Sequence, residues 1–213
     1  MRGGRKRRGR HKGLRAGDGD PQHRPELIRW FWNQLVFDTH DCPAQRCGEP
    51  LERRRSHVLS TTGPDFHIRT HDETGERIVT EENVQRIRAD IPRTMAIITG
   101  EPFRGRILDG ARAASRQSTI NIEFDELDPD LCGQAQVGAA VVIQSSALSR
   151  HEFDASGRGC PPIPVLRHEV AHAMGFFHVS YGGDLMSWLP EYVSDFSARE
   201  VHHMQLAPDG TAR

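Results

Sequence analysis

"RHEVAHAMGFFH", residues 167–178, concentrates three histidines, one glutamate and one glycine in twelve positions. On an α-helix His168 and His172 stand four residues apart, so both project from one face and can reach one ion. Glu169 lies about 100° round the helix from His168, near enough to address a water at that face without being a ligand itself. The other side carries Leu166, Val170, Ala173 and Met174, an apolar stripe suited to a core. Gly175 can take the left-handed conformation that ends a helix, which turns the chain and brings His178 back toward the same ion. Three protein ligands with one position open form the pattern of a catalytic zinc site; structural sites are usually closed by four. With this composition the short pattern His-Glu-x-x-His arises in about 1 in 20 shuffled chains, the long pattern through Gly175 to His178 in about 1 in 5,000. The long form therefore favours a metal site over a helix that merely displays surface histidines.

The chain around this stretch has 213 residues, enough for one well-buried domain with a small appendage. Apolar residues make up 36% and charged residues 27%, with 20 Gly and 13 Pro, which fits a globular protein rich in loops. The most apolar runs, "LIRWFWNQLVF" (27–37) and "GAAVVI" (138–143), are shorter than the roughly 20 residues of a bilayer crossing, so no membrane span is expected. Charge is divided. Residues 1–15 hold eight of the 28 Lys/Arg and no acid, which leaves 20 bases against all 29 acids in the rest, a net of −9. Residues 1–25 read as a disordered basic tail: no apolar stretch follows to complete an export signal, and no aromatic-interleaved groove supports nucleic acid as a partner.

Residues 26–60 read as a short amphipathic helix, with apolar positions at Leu27, Ile28, Phe31, Leu35 and Val36, followed by a turn-rich linker ending in "ERRR". Residues 61–208 read as the main domain. "DFHIRT" (65–70) alternates as a first strand, and "TEENVQRIRADIPRTMAIIT" (80–99) predicts a long Thr-capped helix that Pro92 would kink or split. "RGRIL" (104–108), "STINIEFDE" (118–126) and "AAVVIQ" (139–144) predict further strands ahead of the histidine helix, a mixed α/β layer. Four cysteines allow three pairings; Cys42 with Cys47 and Cys132 with Cys160 is preferred, the second tying a mid-chain segment to the approach of the histidine helix.

The stretch resembles the signature of the metzincin metallopeptidases, HExxHxxGxxH, matched at His168, Glu169, His172, Gly175 and His178. The family carries a methionine turn beneath the metal, and "GGDLMSW" offers Met186, eight residues past the last histidine. Residues 65–207 resemble a matrixin-like catalytic domain of bacterial secreted type. The resemblance implies an α+β fold: a twisted mixed sheet of about five strands, a long helix, the metal-binding helix, the Met-turn and a C-terminal helix at "SAREVHHMQLA". It further implies one catalytic zinc on His168, His172 and His178, Glu169 as general base, and an edge strand that binds an extended protein or peptide substrate, for which "GAAVVIQ" is the candidate. Pro190 and Tyr192 are candidate pocket-wall residues, set slightly further from Met186 than the family places them. Calcium is a further candidate ion that no residue here specifies. A secreted monomer is expected.

"QRCGEPL" (45–51) resembles the matrixin propeptide latch PRCGxPD, in which a thiolate takes the open zinc position; Gln45 and Leu51 depart from it, and Cys47 is the candidate latch. Residues 26–60 would then be a pro-segment. The leading expectation is a zinc-dependent endopeptidase. Its alternatives are a catalytically silent zinc-fold module that binds proteins, against which the presence of Glu169 argues, and a zinc hydrolase of non-peptide amides or esters.

Overall fold

Alternating apolar residues build the sheet. In the computed structural model, which describes residues 31–32, 34–36, 58–59, 63–110, 119–128, 131–145, 160–179, 182–187 and 193–207, strand β1 (Asp65–Arg69) pairs in parallel with β2 (Ile107–Gly110) and with β3 (Thr119–Asp125). β3 pairs in parallel with β5 (Ala140–Gln144), and β4 (Gly133–Gln136) closes the sheet antiparallel to β5, in the order β2-β1-β3-β5-β4. The registers Phe66↔Ile120, Ile68↔Ile122, Ile122↔Val141 and Phe124↔Ile143 place buried apolar side chains in rows on one face. The result is a mixed α/β fold with a five-stranded, mostly parallel sheet.

Parallel neighbours need a crossover. Helix α1 (Glu81–Thr99) supplies the one from β1 to β2, opening on Thr80, whose hydroxyl accepts from the Asn83 N–H, and stopping at Gly100 in the left-handed region. Val84, Ile87, Ile91, Met95 and Ile98 are buried and share one core with the sheet. Of the two expectations for Pro92, a kink or a split, the split does not occur: the helix runs unbroken through it. Proline removes one N–H from the ladder, and the buried residues on either side hold the two halves in one element.

Helix α2 (Pro162–Ala173) carries the histidines and packs on β4, β5 and α1, while α3 (Ala198–Leu206) packs on α1. Phe31, Trp32, Leu35 and Val36, in the helical residues 31–32 and 34–36, belong to the same core, and Leu35 O accepts from the Phe177 N–H at 2.8 Å. One strand reading changes. "GAAVVIQ" is not the edge: β5 lies between β3 and β4, and the edge strand is β4. The reason is a hairpin through Val137–Ala139, with Gly138 at φ 69°, that folds β4 back over the outer side of β5. His203 of α3 is buried against the rings of Phe31 and Trp32. The bond Cys132–Cys160 is present, while Cys42 and Cys47 lie outside the described residues.

Candidate metal centre

Three imidazole nitrogens converge. The Nε2 atoms of His168 and His172 lie 2.9 Å apart, and each is 3.1 Å from Nε2 of His178. Tetrahedral zinc with Zn–N bonds of ~2.0–2.1 Å sets its nitrogens about 3.3 Å apart, so the three atoms stand where one ion would hold them. Among the described residues this trio is the group of His, Cys, Asp and Glu side chains close enough to share an ion.

The opposite ring nitrogens fix the tautomer. His168 Nδ1 donates to Leu185 O and His172 Nδ1 to Phe176 O, both at 2.7 Å, which leaves each Nε2 with its lone pair toward the centre. Burial keeps both rings neutral, holding the His168 pKa down to about 4 and that of His172 well below its ordinary value. Neutral imidazole is the form that binds a metal. The donor set fits zinc: three nitrogens, no carboxylate or carbonyl cage of the kind calcium takes.

Local chain geometry explains how His178 arrives. Gly175 has φ 96°, its N–H donates to His172 O at 2.8 Å, and the Phe176 N–H reaches back to Ala171 O at 3.0 Å. That pair of bonds is a Schellman ending, and it reverses the chain within one turn. The α2 end is further tied by Leu59 N to Met174 O and Gly138 N to Ala173 O.

Beneath the trio lies the turn through Gly183, Asp184, Leu185 and Met186. Met186 is fully buried, and its carbonyl accepts from the Val179 N–H at 2.8 Å. The turn is suspended from the start of α3. Glu200, fully buried, accepts from the backbone N–H groups of Leu185 (3.1 Å), Met186 (2.6 Å) and Ser197 (2.6 Å). Asp184 accepts from Ser197 Oγ and is paired with Arg199. A chain of contacts therefore runs from α3 through the turn to His168. Burial raises the Glu200 carboxyl to about 7, against the three N–H donors that favour its charge.

Glu169 is buried on the side of α2 that faces β4; a Cβ built at Gly133 would fall 2.7 Å from its Cγ and Oε1. Burial alone pushes its carboxyl up to about 8. Next in the helix, Arg167 is buried and pairs through two nitrogens with Asp90 of α1, while its Nη1 donates to Ser194 O at 2.7 Å. Pro190, Tyr192 and the candidate latch Cys47 lie outside the described residues.

Sequence reading did not single out Glu200, Gly133 or Arg167. For Glu200 a signal existed: Ser197 followed three residues later by Glu200 is a capping-box pattern, and both of its bonds form here. Its second task, holding the Met186 turn, has no local signature. Gly133 and Arg167 act across distant segments.

No family model matches the chain, and no curated protein matches it. Among solved structures, the chain is similar to archaemetzincin from Methanopyrus kandleri, at 13% identity and a TM-score of 0.45, over 71% of this chain and 99% of that one.

Proposed function

We propose that the protein is a zinc-dependent endopeptidase of metzincin type, with the matrixin-like architecture that the sequence resembles and residues 61–208 as its catalytic domain. The observation that carries this reading is the convergence of His168, His172 and His178 Nε2 on one point, at the end of the helix that also bears the buried Glu169. When bound, zinc supplies a Lewis acid that polarises a scissile carbonyl and acidifies water. Glu169 takes the proton from that water and delivers it to the departing amine. Burial raises this carboxyl in the metal-free chain, and a cation held by the three histidines would favour its charged form, the one a general base needs. His168 and His172 stay neutral and fixed by their Nδ1 bonds, and Met186 fills the floor. Among the described residues β4 is paired on one side only, so its outer backbone groups can take an extended peptide by strand addition, beside the strand residue Gly133 that Glu169 packs against. The Cys132–Cys160 bond supports an oxidising location, and we propose export.

Casein cleavage by the purified protein with its zinc quantified tests the reading. About one zinc per chain, cleavage by wild type and none by Glu169→Gln with zinc retained would support it. A zinc-loaded wild type and Cys47→Ser variant that both leave casein intact would overturn the peptidase; a gain of activity in Cys47→Ser would support the latch.

A further inference from the structure

Gly133, the first residue of β4, sits where an added side chain would collide with Glu169. A Cβ built there would lie 2.7 Å from Glu169 Cγ, 2.7 Å from Oε1 and 2.9 Å from Cδ, all inside the 3.0 Å that real Cβ contacts keep. Its backbone does not require glycine: Gly133 is absent from the positive-φ glycines and pairs normally with Ile143 in the β4–β5 register. The constraint is therefore the close approach itself. Its position is tied twice at the neighbouring Cys132. The preceding Cys132 is bonded to Cys160, immediately ahead of α2, and Cys132 O accepts from Gln144 N–H of β5 at 3.0 Å. One covalent link thus joins the start of the strand to the start of the helix that carries Glu169.

We propose that Gly133 is a positioning residue for Glu169: the bare Cα of β4 is the surface that seats the glutamate side chain, and any side chain at 133 drives its carboxylate off station without touching the metal ligands. The inference rests on the reading of Glu169 as the general base. The atoms displaced all belong to the side chain of Glu169 and none to backbone, so a change of its rotamer lets the fold accommodate Gly133→Ala without unfolding.

The test is a double-mutant cycle of Gly133→Ala and Glu169→Gln on the zinc-loaded full chain, read by binding of acetohydroxamic acid, which chelates the metal and donates its O–H to a neighbouring carboxylate. Gly133→Ala is expected to keep wild-type zinc stoichiometry and melting temperature, to bind acetohydroxamate about tenfold more weakly, and to lower kcat on casein peptides about a hundredfold with KM nearly unchanged. Glu169→Gln should lose the same affinity, and the double variant no more than Glu169→Gln alone. Wild-type affinity in Gly133→Ala, or losses that add in the double variant, would overturn the proposal. Coupling in the hydroxamate cycle with no cleavage by wild type sinks the peptidase reading and leaves the positioning role standing; cleavage without coupling does the reverse. If Gly133→Ala fails to fold, Gly133→Ala with Glu169→Ala must restore folding, since the colliding atoms are then gone; a double variant that also fails to fold overturns the proposal.

Discussion

Glu169 occupies a site that opposes its charge, and the opposition sets a pH dependence with a definite sign. Its carboxyl is raised from an ordinary value of 4.5 to about 8 by burial. In the metal-free protein the folded state therefore keeps a proton that the unfolded chain releases across that window. The stabilisation is complete below 4.5 and is lost as pH rises through 8. His168 acts the other way: lowered to about 4, it contributes stability that is present above 6.5 and lost as pH falls toward 4. Both proteins in a comparison of wild type with Glu169→Gln carry His168, so its effect cancels. Glu169→Gln should gain stability relative to wild type between pH 5 and pH 8, by up to about 1.4 kcal/mol per pH unit. Urea unfolding of the two metal-free proteins at both pH values checks this, and an unchanged difference would remove the burial argument. In the zinc-loaded protein the same substitution should cost activity by about a hundredfold or more while zinc stays bound, as loss of a general base does.

Helix ends carry the geometry of the centre. The α2 ending was legible because glycine at position 175 is the residue that tolerates φ 96° without strain, and a reversal there is what returns His178 to the helix face. Gly175→Ala should cost about 1 kcal/mol or more in stability and weaken zinc binding, read by chelator competition, because the chain leaves α2 in another direction. The start of α3 was legible only as a helix. That Glu200 would reach across to the Leu185 and Met186 N–H groups depends on the packing of two segments 14 and 15 residues apart, which no local pattern encodes. Glu200→Ala leaves three backbone donors without their acceptor, at about 1–3 kcal/mol for each that stays buried and unpaired. Since Leu185 O orients His168, zinc affinity should fall by about 10–100-fold as well. A variant that loses melting temperature but keeps wild-type zinc affinity would show that the turn is held in place by packing alone. Pro92 gives the opposite lesson: its tendency to end a helix was readable, and the helix continues through it all the same.

At the scale of the whole molecule, periodicity found β1, β3 and β5 because their alternating Ile, Val and Phe face one core, whereas β4, "GQAQ", has no β-branched or aromatic residue to announce it. It is a strand because the hairpin at Gly138 and the Cys132–Cys160 bond hold it against β5 and α2, so the edge was misplaced by one strand in the reading. This gives the disulfide two separable effects. Closing a loop between residues 28 apart stabilises by about 3–4 kcal/mol through the unfolded chain, whatever it joins in the fold. Holding β4 on α2 is a folded-state effect, confined to the contact between the two. Cys132→Ser with Cys160→Ser should therefore lower stability by about 3 kcal/mol under non-reducing conditions, and the difference from wild type should vanish in dithiothreitol, where both proteins lack the link. Urea midpoints in the two conditions measure the first effect. The second is read by hydrogen exchange of the β4 amides, which should quicken in the double variant beyond the change in global stability, because the strand has lost its covalent tie while β5 keeps its neighbours on both sides. Exchange that follows global stability alone would assign the disulfide to the unfolded chain and leave β4 held by its hairpin.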